Sequence, residues 1–217
     1  MIFTFPDALA ILASLFNPEE FILFCMMHEE KALEFLRVMT ERIKHHLRYM
    51  LERGVKPAYW FGGPEFATPP LMGPQQFKKF VVPFDTELIE LVHAYDALVV
   101  MHCHGRVKKV LPMIRKMRPD GLHPIEGPPM GDVTLKEARE LLGPRLCVIG
   151  NIQIGDMYTD SAEEIDAKVE AAIREGGPAG AFILNLTASQ YSNDFPDKLL
   201  RNFMQYIESG LKYGVYN

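Results

Sequence analysis

An apolar run ends in two histidines with a cysteine between them: Ala97-Leu98-Val99-Val100-Met101-His102-Cys103-His104-Gly105. Alternate residues of a strand point the same way, so His102 and His104 can converge on one ion or one proton-bearing group, while Cys103 is turned aside. Two imidazoles are an incomplete metal site, because a catalytic zinc takes three protein ligands and keeps a fourth position open. Glu65 is the one charge in the glycine- and proline-rich loop Gly62-Gly63-Pro64-Glu65-Phe66-Ala67-Thr68-Pro69-Pro70, which makes it a candidate ligand or base. Two plainer roles stay open at this point: a hydrogen-bonded histidine pair under a loop, and a loop carboxylate held by nearby amides.

The elements that must position these residues alternate. Asn17-Pro18-Glu19-Glu20 reads as a helix start, and a long helix with a kink near His28 runs to Arg53, where Gly54 stops it. Ala58-Tyr59-Trp60-Phe61 is a short aromatic strand, and Pro74 to Tyr95 a helix that Pro83 kinks or restarts. After the central strand come a helix over 106–117, a strand over 121–125, and the loop Glu126-Gly127-Pro128-Pro129-Met130-Gly131-Asp132. Thr134/Glu137 and Ser161/Glu164 are capping boxes for two more helices. The strand at 145–150 exits into Asn151-Ile152-Gln153, the strand at 181–186 is the last, and a helix over 195–213 closes the chain. Residues 1–16 fit a short strand, a helical turn or a tail equally well.

Strand then helix, five times, with polar clusters at the strand exits, predicts a parallel β/α fold. No G-x-G-x-x-G occurs, so a doubly wound dinucleotide fold is disfavoured, and a (β/α)8 barrel of TIM type, incomplete at about five C-terminal units, fits better. One partial barrel domain over 1–217 is expected, with 1–16 an undecided lead-in. Its open strand edges, beside 58–61 and 181–186, should be covered by a partner or a second copy. A net charge of -5 offers no basic surface for nucleic acid. The apolar opening, interrupted by Pro6 and Asp7, is too short to span a membrane. Three widely separated cysteines, Cys25, Cys103 and Cys147, form no disulfide framework and suit the reducing cytoplasm.

Gly-Pro-Glu at 63–65, His-Cys-His-Gly at 102–105, Pro-Pro-Met-Gly-Asp at 128–132 and Gly-Asn at 150–151, in that order, resemble the uroporphyrinogen decarboxylase superfamily. That superfamily includes zinc methyltransferases acting between corrinoid proteins and thiols. The resemblance runs from about residue 18 to the end and implies a (β/α)8 barrel of which this chain is the C-terminal part. The decarboxylase's arginine-rich substrate loop and catalytic aspartate have no counterpart. The zinc methyltransferases show His-x-Cys-Gly here, so the resemblance makes His102 the first ligand and puts His104 in place of the cysteine. Their third ligand, a cysteine after the last strand, falls in Asn185-Leu186-Thr187-Ala188-Ser189, where Ala188 cannot coordinate. Glu65 and Glu126 are the substitutes.

The resemblance therefore implies a zinc-dependent methyltransferase-like enzyme. His102, His104 and Glu65 or Glu126 hold zinc, Glu65, Glu126 and Asn151 line the reacting centre, and a corrinoid protein is the partner. Zinc would make an acceptor thiol nucleophilic at neutral pH. The alternative is a decarboxylase-like lyase acting on a tetrapyrrole or other carboxylated substrate, for which Arg106 is the only arginine near the central strand exit. A noncatalytic module or gene fragment is the third reading.

Overall fold

The computed structural model describes residues 2–178 and 180–215. Six parallel strands form one sheet in chain order: β1 (Ile2–Pro6), β2 (Ala58–Gly62), β3 (Leu98–His102), β4 (Gly121–His123), β5 (Cys147–Ile152) and β6 (Phe182–Leu186). Between them run α1 (Ala8–Ala13), α2 (Pro18–Met27), α3 (Glu29–Leu51), α4 (Pro74–Phe80), α5 (Val82–His93), α6 (Leu111–Met117), α7 (Leu135–Leu142), α8 (Asp156–Thr159) and α9 (Ala162–Gly176), with α10 (Asp197–Tyr213) last. An order that never doubles back is the winding of a TIM-type barrel. Among the described residues β1 and β6 each pair on one side only, so the barrel is not closed.

The strand count of five is corrected to six. In β1, Phe3 and Phe5 face the helix layer, with ring centroids 5.9 and 6.5 Å from Tyr59, and Phe5 lies 5.7 Å from Phe61. Asp7 then caps α1, its Oδ1 accepting from the Ala10 N–H at 2.6 Å. The open edge accordingly lies along β1, and β2 is an interior strand.

Local signals hold elsewhere. The long N-terminal helix breaks at His28 into α2 and α3, and Asn17 accepts from the Glu20 N–H at 2.9 Å. Gly54 takes a φ of 76°, where a side chain would be strained. Pro83 sits in the first turn of α5, where a missing N–H costs nothing, and the chain restarts at Val81. Both predicted capping boxes form, at Thr134/Glu137 and Ser161/Glu164.

One face of the sheet, carrying Tyr59, Phe61, Val99, Met101, Leu122 and Val148, is buried against the helices. The other face is the barrel side, and there Leu98 and Ile183 are 58% and 52% exposed. The register of that face matters for the site: Gly62 lies opposite His102, which lies opposite His123. No described helix is long and apolar enough to cross a membrane.

Candidate active site

The parallel register brings His102 at the end of β3 beside His123 at the end of β4, and their Nδ1 atoms meet at 2.8 Å. The proton positions follow from the next contact. His123 Nε2 lies 2.9 Å from the Leu186 carbonyl, which can only accept, so neutral His123 carries its proton on Nε2. Its Nδ1 is then an acceptor, His102 donates Nδ1–H to it, and the lone pair of His102 is left on Nε2. Burial, followed by the neighbouring charges of His104 and His123, pulls His102 down to about 3. His123 is also lowered, chiefly by burial. Both rings are therefore neutral at physiological pH.

His104 is set differently. Its ring stands edge-on to His102, centroids 4.6 Å apart, and its Nδ1 lies 3.1 Å from Glu126 Oε2. Burial works against a charge on His104, but the hydrogen bond and charge of Glu126 outweigh it and raise its pKa. Glu126 is buried, which alone would favour its neutral acid. The bonds from His104 and from the Gly105 N–H, also 3.1 Å, overcome that and lower its pKa. The result is a histidine–carboxylate pair, the histidine raised and the carboxyl lowered, next to two imidazoles kept neutral, and pKa values pushed apart in this way are characteristic of acid–base sites.

Two layers support the pair. Gln153 Nε2 donates to Glu126 Oε1 at 3.5 Å, and Gln153 Oε1 accepts from Thr187 Oγ1 at 3.2 Å, which ties the exits of β5 and β6 to Glu126. Trp60 from β2 lies 5.0 Å from the His123 ring and 6.2 Å from that of His102.

Of the residues picked from sequence, His102, His104 and Glu126 come together. Glu65 turns back into its own loop, where Oε2 accepts from the Gly63 N–H at 3.0 Å; burial raises its pKa, and its charge still acts on His104. Asn151 is half-buried at the exit of β5, opposite Asn185 on β6. Cys103 is fully buried, with burial holding its thiol well above the ordinary range. Asp132 accepts from the Lys108 N–H at 2.9 Å and so fixes its loop. His123, Gln153, Thr187 and Trp60 belong to none of the sequence motifs that single out the other residues. Their common signal is position at or near a strand's C-terminal end.

Zinc would need three ligands here. His102 and His104 keep Nε2 for a metal, but Glu126 is bound to the opposite nitrogen of His104, an outer-shell position. Among the described residues no three His, Cys, Asp or Glu side chains gather in a metal-holding group. The arrangement does not fit a three-ligand zinc centre.

A one-way wound parallel sheet with its polar cluster at the strand C-terminal ends defines a barrel-type β/α chain whose site lies on the βα loops. More narrowly, residues 9–209 match the family model "Uroporphyrinogen decarboxylase (URO-D)", and the chain belongs to that family. It is 27% identical over 119 residues to the uroporphyrinogen decarboxylase of Trichlorobacter lovleyi, a match covering 54% of this chain and 32% of that protein. A methyltransferase from Methanosarcina mazei superposes with a TM-score of 0.77 at 18% identity, over 99% of this chain and 59% of its own. The chain thus spans less than two thirds of either protein.

Proposed function

We propose that the chain forms the histidine–carboxylate side of a methyl-transferring site, moving a methyl group from a corrinoid on a partner protein to a thiol. The observation that carries this reading is the His104–Glu126 pair at the mouth of the sheet. Glu126 holds His104 by Nδ1, so the neutral ring presents Nε2 as the base. His104 takes the S–H proton, and the imidazolium so formed, neutralised by Glu126, stays beside the thiolate. The sulfur then bonds to the methyl carbon as the cobalt–carbon bond breaks, its electron pair remaining on cobalt. His102, kept neutral, offers its Nε2 lone pair to orient an acceptor.

A second reading, decarboxylation, is favoured by the likeness to the Trichlorobacter lovleyi enzyme. There the His104 imidazolium would give its proton to the carbon that CO2 leaves. Arg106, the only arginine near this exit in sequence, is exposed.

The test is thiol-dependent loss of the cobalt–carbon absorbance of methylcobalamin with 2-mercaptoethanol, run beside CO2 release from uroporphyrinogen. The first activity is expected, falling roughly 100-fold or more in His104→Ala and Glu126→Gln. NMR titration of Glu126→Gln should show the His104 midpoint lowered, since the carboxylate that raises it is gone. Activity unchanged in both variants, or CO2 release alone, would overturn methyl transfer.

A further inference from the structure

A cleft of about 740 Å³ is at the other end of the sheet, between the end of α6, the entry to β4 and the loop from α7 to β5. It is ~13 Å from the histidines along β3, at 3.3 Å per residue. Four cations line it, Arg115, Lys116, Arg118 and Arg145, against two carboxylates, Asp120 and Glu140, in a chain whose net charge is -5. Part of this has a structural explanation. Asp120 is held in place through Oδ2, by His93 at 2.9 Å and the Val99 N–H at 2.8 Å. Arg115 donates to the Leu141 carbonyl at 3.3 Å, answering the negative end of α7. Among the described residues Lys116, Arg118 and Arg145 make no ion pair, yet all three border one concavity. Arg118 is placed there by the backbone itself, with a φ of 63° at the end of α6.

We propose that this cleft binds a phosphorylated small molecule, its phosphoryl oxygens held by Arg118 and Arg145 with Lys116 beside them. Guanidinium forks match phosphate oxygens two at a time, and three cations around a concave site concentrate the positive potential. Concavity favours a compact ligand over a long polyanion, and Glu140 at the same cleft offers an acceptor for a hydroxyl or amine on the ligand.

The proposal is independent of the chemistry at the histidines and is tested by calorimetric titration with inorganic phosphate, pyrophosphate and AMP at low salt. One saturable site is expected, for which the three ligands compete. AMP binding tighter than phosphate supports a phosphate ester as the ligand, and equal affinities overturn that in favour of free phosphate. R118N/R145Q, in which asparagine tolerates the left-handed backbone at 118, should bind at least tenfold more weakly with an unchanged melting temperature. Lys78→Gln, on α4 away from the cleft, should bind as wild type. Absence of saturation with all three ligands, affinity retained in R118N/R145Q, or an equal loss in Lys78→Gln would overturn the site.

Discussion

Replacing Asp85 by asparagine should flatten the pH dependence of stability by roughly 1.4 kcal/mol per pH unit between pH 5 and pH 8, the value for one proton. Asp7, on the turn from β1 to α1, and Asp85, on α5, are both fully buried and hydrogen-bonded to each other. The Oδ2 atoms of both have no donor among the described residues, so a proton held between the two carboxyls is what satisfies them. The other ionisable groups acting on the pair are Glu65 and Cys103, neither of them a cation. Burial therefore dominates: it raises Asp7 to about 8 and, with the charge of Asp7, raises Asp85 well above its ordinary value.

The sign follows from proton counts. Between about 4 and about 8 the unfolded chain has released these protons and the folded chain keeps at least one, so each unit of rising pH favours unfolding. The stabilisation is complete below the unfolded value near 4 and is lost as pH rises through the folded value. In Asp85→Asn one of the two raised carboxyls is gone, so the folded chain keeps one proton fewer across this range. Guanidinium melts of both proteins at pH 5, 6, 7 and 8 measure the difference directly, and it should reach about 4 kcal/mol over the range. His102 and His123, neutral when folded, add an opposite slope below pH 6.5 to both proteins and cancel in the comparison. Parallel slopes would mean that the two carboxyls share no proton.

This pair was invisible in the sequence, and the reason is instructive. Asp7 looks like an interruption in an apolar stretch and Asp85 like one polar position on a helix; only the docking of α5 under the β1–α1 turn makes them partners. Signals confined to a few residues were legible: the Asn17 cap, both capping boxes, the break at His28 and the stop at Gly54. The alternation of β1 was readable too, but a strand that short has no local feature to distinguish it from a tail, and its partner is more than fifty residues away.

The site divides along the same line. His102 and His104 sharing a face is a property of one strand and could be read from spacing. The bond between His102 and His123 depends on the register of β3 against β4, which no local pattern fixes. Glu65 and Glu126 were equivalent as residues, each in a glycine- and proline-rich loop following a strand adjacent to β3. They differ because the 3-10 turn at Pro64–Ala67 brings Glu65 back onto Gly63, while Glu126 is directed at His104. Electrostatics then separates them further, raising one pKa and lowering the other.

What directs Glu126 is the loop behind it, and that yields the second large effect. Gly131→Ala should cost about 1–3 kcal/mol of stability and reduce turnover roughly 100-fold, since an ångström of displacement at a reacting group costs about that much. A Cβ on Gly131 would lie 2.0 Å from the Glu126 carbonyl oxygen and 2.7 Å from its Cβ, contacts that backbone movement alone can relieve. The loop is closed by the Gly131 N–H donating to the Gly127 carbonyl at 2.9 Å, so the displaced segment carries Glu126 with it. Gly127, in the same loop, is the internal control: a Cβ there meets nothing within 4 Å, and Gly127→Ala should be near neutral. Thermal melts report the strain, and the NMR midpoint of His104 reports the carboxylate, moving down in Gly131→Ala as Glu126 withdraws and staying in place in Gly127→Ala. If the two alanine variants behave alike, the close packing of Gly131 on Glu126 is not what holds the carboxylate against His104.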